Sequence, residues 1–124
     1  MQRIHSLHHV QITIPPGEEA RARAFYCDVL GLPEIEKPDS LKLRGGFWLR
    51  LGTIDIHVGT ENGVDRTATK AHLAYCVDNL SAWKTIIQAQ NLPIKESIPI
   101  PGFDRFECRD PFDNRVEFIS PHTP

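Results

Sequence analysis

The chain repeats itself, and that limits what it can fold into. Residues 7–14 alternate, with Val10, Ile12 and Ile14 on one side and His9, Gln11 and Thr13 on the other, as in a half-buried strand. Pro15-Pro16-Gly17 stops the strand, and 18–30 read as a helix that Gly31 ends. A short strand near 34–37 follows, then a hairpin over 46–59 around Gly52-Thr53. After a polar linker the order restarts. Residues 71–77 alternate like the first strand, Asp78 is a helix N-cap for 79–90, and Asn91 can end that helix. Residues 94–98 fit a strand, and 103–109 and 115–119 fit the arms of a second hairpin. The landmarks keep nearly one offset: His9 to His72 is 72 − 9 = 63, Asp55 to Glu117 is 117 − 55 = 62, and Leu32-Pro33 to Leu92-Pro93 is 92 − 32 = 60. That is a duplicated supersecondary unit.

The expected architecture is α+β: two βαβββ modules whose strands form a curved mixed sheet around an open cup. At 124 residues the chain suits a single domain. Module 1 spans about 5–60, a linker about 61–70, and module 2 about 71–120.

Each strand should turn its apolar side to a helix and its polar side to the cup. His9, His72 and Glu117 then share the polar side. Two imidazoles and a carboxylate suit Fe(II), Mn(II), Ni(II), Co(II) or Zn(II), and three protein ligands leave positions open for water or a chelating substrate. In the first hairpin, Arg50 faces Asp55 and Trp48 faces His57, so these four also line the cup. Asp55 reads either as a fourth ligand or as the ion-pair partner of Arg50. His57 reads as a ligand, a general base or a substrate contact, and Glu117 and His57 are the candidate catalytic groups. Gln11, Trp48, Arg50 and Arg105 are the candidate substrate contacts, Arg105 because it begins a strand beside the cup and can reach an anion. His8 should point to the helix side or an edge. Tyr26 and Tyr75 belong with the core.

Composition removes other classes. Net charge is −2 with no long run of one sign, so nothing argues for nucleic acid or an anionic membrane as partner. No stretch has signal-peptide character or approaches the ~18 apolar residues of a membrane span. Three single cysteines without a CxxC fit a reduced, cytoplasmic protein and argue against a thiolate zinc site.

The residues resemble the vicinal oxygen chelate superfamily, the glyoxalase/bleomycin-resistance/dioxygenase group. The resemblance rests on Leu7-His8-His9-Val10, on Ala24 to Leu32 (AFYCDVLGL), on Ala71-His72-Leu73-Ala74, and on Asp110 to Phe118 (DPFDNRVEF). It implies metal ligands from the first and last strands of each unit: His9, His72 and Glu117, with the fourth place falling on Asp55. An Asp there is one methylene shorter than the Glu of four-ligand members and faces Arg50, which weighs against glyoxalase I chemistry. Asp113 stands where the family usually has Gly. The family also implies a small-molecule substrate that chelates the metal through two oxygens, and homodimers whose cups form within one chain or between two. The reactions in view are those of a metal-dependent lyase, isomerase or thiol transferase. An extradiol-type dioxygenase and a metal-free drug-binding protein are the alternatives. No motif in 36–46 or 60–70 names the substrate.

Overall fold

A computed structural model describes residues 1–122. It contains two compact units, divided between Val64 and Asp65, each a βαβββ module.

In the first unit, β1 (His9–Ile14) leads into helix α1 (Glu19–Arg23). The helix then widens into a π-helical stretch over Ala24–Val29, a change of winding that the helical pattern of 18–30 does not disclose. It ends at Gly31, whose φ of 76° is open to glycine without strain. Next come β2 (Glu34–Ile35), a 3₁₀ turn (Asp39–Arg44), β3 (Phe47–Leu51) and β4 (Ile54–Thr60). The sheet order is β1-β4-β3-β2, with β1 parallel to β4 and the other pairs antiparallel. Phe47, Leu49, Ile56 and Val58 share one side and are buried. The Arg23 guanidinium lies 4.6 Å from the centre of the Phe47 ring and holds Glu34 through two bonds of 2.8 and 3.2 Å, tying the helix to the sheet edge.

The second unit repeats this with β5 (His72–Cys76), α2 (Leu80–Ala89), β6 (Lys95–Glu96), β7 (Phe103–Arg109) and β8 (Arg115–Pro121), in the order β5-β8-β7-β6. The helix begins one residue later than expected. Asn79, not Asp78, caps it, accepting a hydrogen bond from the Ala82 N–H at 3.0 Å. Asn91, at φ 59°, follows its end. Trp83 from α2 stacks on Phe118 of β8, with centroids 5.4 Å apart, and Phe106 of β7 stacks on the same ring at 5.0 Å. Tyr26 and Tyr75 are buried with the apolar sets, as expected. Among the described residues no helix is long and apolar enough to cross a membrane.

The turn between β7 and β8 is built on Asp110. Its buried carboxylate accepts from the Phe112 N–H (2.8 Å), the Asn114 N–H (2.9 Å) and the Asn114 side-chain amide (2.9 Å). Asp113 adopts φ 74° there, a conformation that Asp tolerates better than most residues. Asp113→Gly should therefore change stability by less than about 1 kcal/mol. Asp113→Val should cost about 1–3 kcal/mol, because a β-branched side chain resists positive φ. Urea denaturation of the two variants checks the difference.

All three cysteines are free. Burial, helped by Asp110 and Glu107, pushes the Cys108 thiol up to about 12, while Cys76 is exposed. Cys108 thus stays a thiol throughout the neutral and mildly basic range. Alkylation at pH 8 should label Cys76 and spare Cys108 until the protein is unfolded. Labelling of Cys108 at the Cys76 rate in native protein would contradict its burial.

Candidate functional site

Strand register sets which side chains meet. In the first unit His9 pairs with Asp55, Gln11 with His57, and Trp48 with His57. All lie on the side of the sheet opposite Phe47, Leu49, Ile56 and Val58. The result is a column of three rings across three strands. His57 stacks on Trp48 at 3.9 Å and on His9 at 4.2 Å, the planes 3° and 14° from parallel. The His57 Nε2 atom is buried and has no hydrogen-bond partner. Burial is the main cause that lowers the His57 pKa, and nearby His9 adds to it, so the ring is neutral at physiological pH. A neutral imidazole with a partnerless buried nitrogen has a lone pair to give.

Asp55 is engaged elsewhere. Its carboxylate accepts from Arg50 Nε at 2.9 Å, and that bond is the first cause that holds its pKa below the ordinary carboxylate value. Arg50 is exposed at the sheet surface. His8 Nδ1 lies 2.9 Å from His9 Nδ1.

In the second unit His72 pairs with Arg115, and Ala74 with Glu117. His72 Nδ1 is 2.7 Å from the Lys70 carbonyl oxygen. A carbonyl only accepts, so Nδ1 carries the proton and donates. That leaves Nε2 of the neutral ring as a lone-pair donor, and it lies 3.1 Å from Glu117 Oε1. Two acceptors at this distance need a proton or a metal ion between them. Arg105 Nη1 donates to the same Oε1 at 3.1 Å, and its Nε donates to the Ile98 carbonyl. Glu117 is almost fully buried, so its charge relies on these partners. A tautomer fixed through Nδ1 is also the usual support of a metal-binding histidine.

The two registers correct one correspondence. Asp55 sits opposite His9 as Arg115 sits opposite His72. His57 sits opposite Gln11 as Glu117 sits opposite Ala74. The structural counterpart of Glu117 is thus His57, and not Asp55 as the resemblance suggested. The three residues that the first unit has in excess lie before β4, so the offset there is 117 − 57 = 60.

The first unit also forms an open cavity of about 520 Å³ on this polar side, lined in part by His9, Gln11, Trp48 and His57. The Gln11 amide lies across Gly59, where a Cβ would meet its Nε2 at 2.9 Å. Arg50 is not among the lining residues. Lys37 and Arg44 are, and neither stood out in the sequence. Among the described residues no three His, Cys, Asp or Glu side chains form a group that could hold a metal ion. What the structure brings together is His9 with His57 in one unit and His72 with Glu117 in the other.

The sequence model of the glyoxalase/bleomycin resistance protein/dioxygenase superfamily matches residues 6–118. The chain belongs to this superfamily. No curated protein matches it. Among solved structures of the superfamily, a glyoxalase family protein from Bacillus anthracis is 37% identical, with a TM-score of 0.89, covering 98% of this chain and 99% of that one. Lactoylglutathione lyase from Agrobacterium tumefaciens is 19% identical, with a TM-score of 0.73 and 95% of each chain covered. The fosfomycin resistance protein FosX from Listeria monocytogenes is 15% identical, with a TM-score of 0.77, covering 97% of this chain and 96% of that one. At these identities the last two show a shared fold alone. Taken unit by unit, the donor chemistry suits a divalent metal: the second unit has an imidazole nitrogen prepared by a carbonyl with a carboxylate beside it, and the first has a buried imidazole nitrogen without a partner.

Proposed function

We propose that the chain is a small metal-dependent enzyme that acts on an oxygen-rich small molecule by lyase, isomerase or thiol-transferase chemistry. His9, His72 and Glu117 would be its ligands, and His57 takes precedence over Asp55 as the fourth. When bound, the divalent ion (Fe, Mn, Ni, Co or Zn) would accept two substrate oxygens and stabilise the oxyanion that forms. The observation that carries this reading is the His72–Glu117 pair, an imidazole nitrogen and a buried carboxyl oxygen 3.1 Å apart, which a shared proton or a metal ion would join. The Nδ1 bond to Lys70 holds the His72 ring in the donor tautomer. Arg105 donates to Glu117 Oε1 and balances its charge. Glu117 is both ligand and candidate proton carrier. His57, neutral and held between Trp48 and His9, either completes the set or takes a proton from substrate. Gln11 and Trp48 bound the space for the substrate. Asp55 keeps Arg50 in place and stands outside the reaction.

The reading includes the two units working as one domain, a reduced cytoplasmic setting in keeping with the free cysteines, and a homodimer as in small members of the superfamily.

Elemental analysis of protein purified without added metal tests it, with His9→Ala, His72→Ala and Glu117→Ala alongside. Wild type should carry close to one ion per chain and each variant far less. Full metal content in all three variants would end the reading. Oxygen uptake with catechols would move the metal-bound protein to the extradiol class, and a tightly held organic ligand without metal would move it to drug sequestration.

A further inference from the structure

We propose that Lys37 and Arg44 form an oxyanion-binding subsite in the cavity of the first unit, which holds a carboxylate, phosphonate or phosphate group of the small molecule bound there. As a statement about the substrate it rests on the proposed enzyme function. As a statement about binding it stands on the first unit alone.

The charge of the segment between β2 and β3 is unevenly distributed. It carries two carboxylates, Glu36 and Asp39, and Lys42 takes both, each at 2.9 Å. Lys37 and Arg44 are left without a carboxylate partner among the described residues, and both line the cavity. No Asp or Glu is among its described lining residues, whereas three imidazoles are. Two cations outnumber the one nearby carboxylate, Glu19, whose Oε2 would lie 3.9 Å from a Cβ at Gly45, and with no acid in the described lining they make the potential of the concave space positive. A volume of about 520 Å³ suits a small organic molecule.

The backbone holds Lys37 and the segment that carries Arg44 in place. Lys37 Nζ donates one hydrogen bond to the Gly45 carbonyl at 2.7 Å, and the ammonium has further N–H groups to offer. The Leu41 N–H donates to the Pro38 carbonyl at the start of the 3₁₀ turn. At its end, Gly46 lies so close to β4 that a Cβ would fall 2.0 Å from the Val58 carbonyl oxygen, and its φ is 77°. Only glycine permits that approach. The segment is thereby pinned against the strand that carries His57, with Arg44 two residues before the contact. Arg presents a fork suited to the paired oxygens of a carboxylate or phosphonate, and Lys a point charge.

The test is isothermal titration of metal-free, chelator-treated protein with phenylphosphonate, benzoate and neutral benzamide. At least one anion should bind wild type, more weakly as salt rises. Arg44→Gln and Lys37→Gln should each lower its affinity about tenfold, as expected for one charge-assisted contact, and leave benzamide unchanged. The tighter of the two anions identifies a phosphonate-like or a carboxylate group. Binding of neither anion, or equal binding to wild type and the double variant, would overturn the proposal. Lys37→Gln also loses the bond to Gly45, so if circular dichroism shows it misfolded, Arg44→Gln alone decides. Both substitutions should leave metal content intact, and loss of metal in the His9, His72 or Glu117 variants should leave the anion titration intact. Failure of one reading is thus separable from failure of the other.

Discussion

Glu117→Gln should lower affinity for a divalent ion by more than the ~10–100-fold typical of losing a residue that supports a ligand, with little change in fold. Gln keeps the size of the side chain and can still meet His72 and Arg105, so the buried volume stays filled. What disappears is the negative charge. With it goes the reason for a cation at the His72 Nε2 atom, 3.1 Å away. Arg105→Gln should have the opposite sign. It removes the positive group that shares Glu117 Oε1, so metal binding should strengthen severalfold or stay level. Competition against a fluorescent chelator measures both. Equal affinities for wild type and Glu117→Gln would show that Glu117 is a structural acid paired with Arg105 and nothing more.

Phe118→Ala should destabilise the second unit by about 3–5 kcal/mol. The ring is 1% exposed. It stacks on Trp83 and on Phe106 and lies 6.2 Å from Tyr75. The substitution deletes the ring that joins α2 to β7 and β8 and leaves a void that its rigid aromatic neighbours cannot fill. Aromatic pairing adds about 0.5–1.5 kcal/mol per pair beyond the area term. Urea unfolding followed by Trp83 fluorescence reads the effect, with a Trp48→Phe background to isolate that signal. A loss under about 1 kcal/mol would mean that the helix is held mainly by other contacts. Because Glu117 is the neighbour of Phe118 on the strand, this variant should also loosen metal binding, whereas Glu117→Gln should leave unfolding nearly unchanged. The two effects therefore separate fold from site.

Much of this was legible in the sequence, because alternation and the repeat are local signals. The strands around His9 and His72, both hairpins and the opposite facing of polar and apolar sets follow from a period of two. The Arg50–Asp55 ion pair follows from counting back from a two-residue turn. The correspondence between units was harder. Asp55 and Glu117 have nearly the offset of His9 and His72, and both are acids. Register decides otherwise, because the spacing changes between the first strand and the Leu-Pro pair. The Leu-Pro pairs carried that signal: their offset of 60 is also the offset from His57 to Glu117. The π-helical stretch from Ala24 was not legible, since a one-residue change of winding leaves composition untouched. Nor were Lys37 and Arg44. Their importance comes from Lys42 drawing off Glu36 and Asp39, and from Gly46 fixing the segment, and neither leaves a periodic trace.

The central proposal is that His9, His72 and Glu117 are ligands of one ion. X-ray absorption at the metal edge of the loaded protein tests this directly, because imidazole rings give a distinct scattering pattern that can be counted. The wild-type ion should show at least two imidazoles, and His9→Ala and His72→Ala should each remove one. A spectrum that His9→Ala leaves unchanged, while His72→Ala alters it, would confine the metal to the second unit and contradict the account.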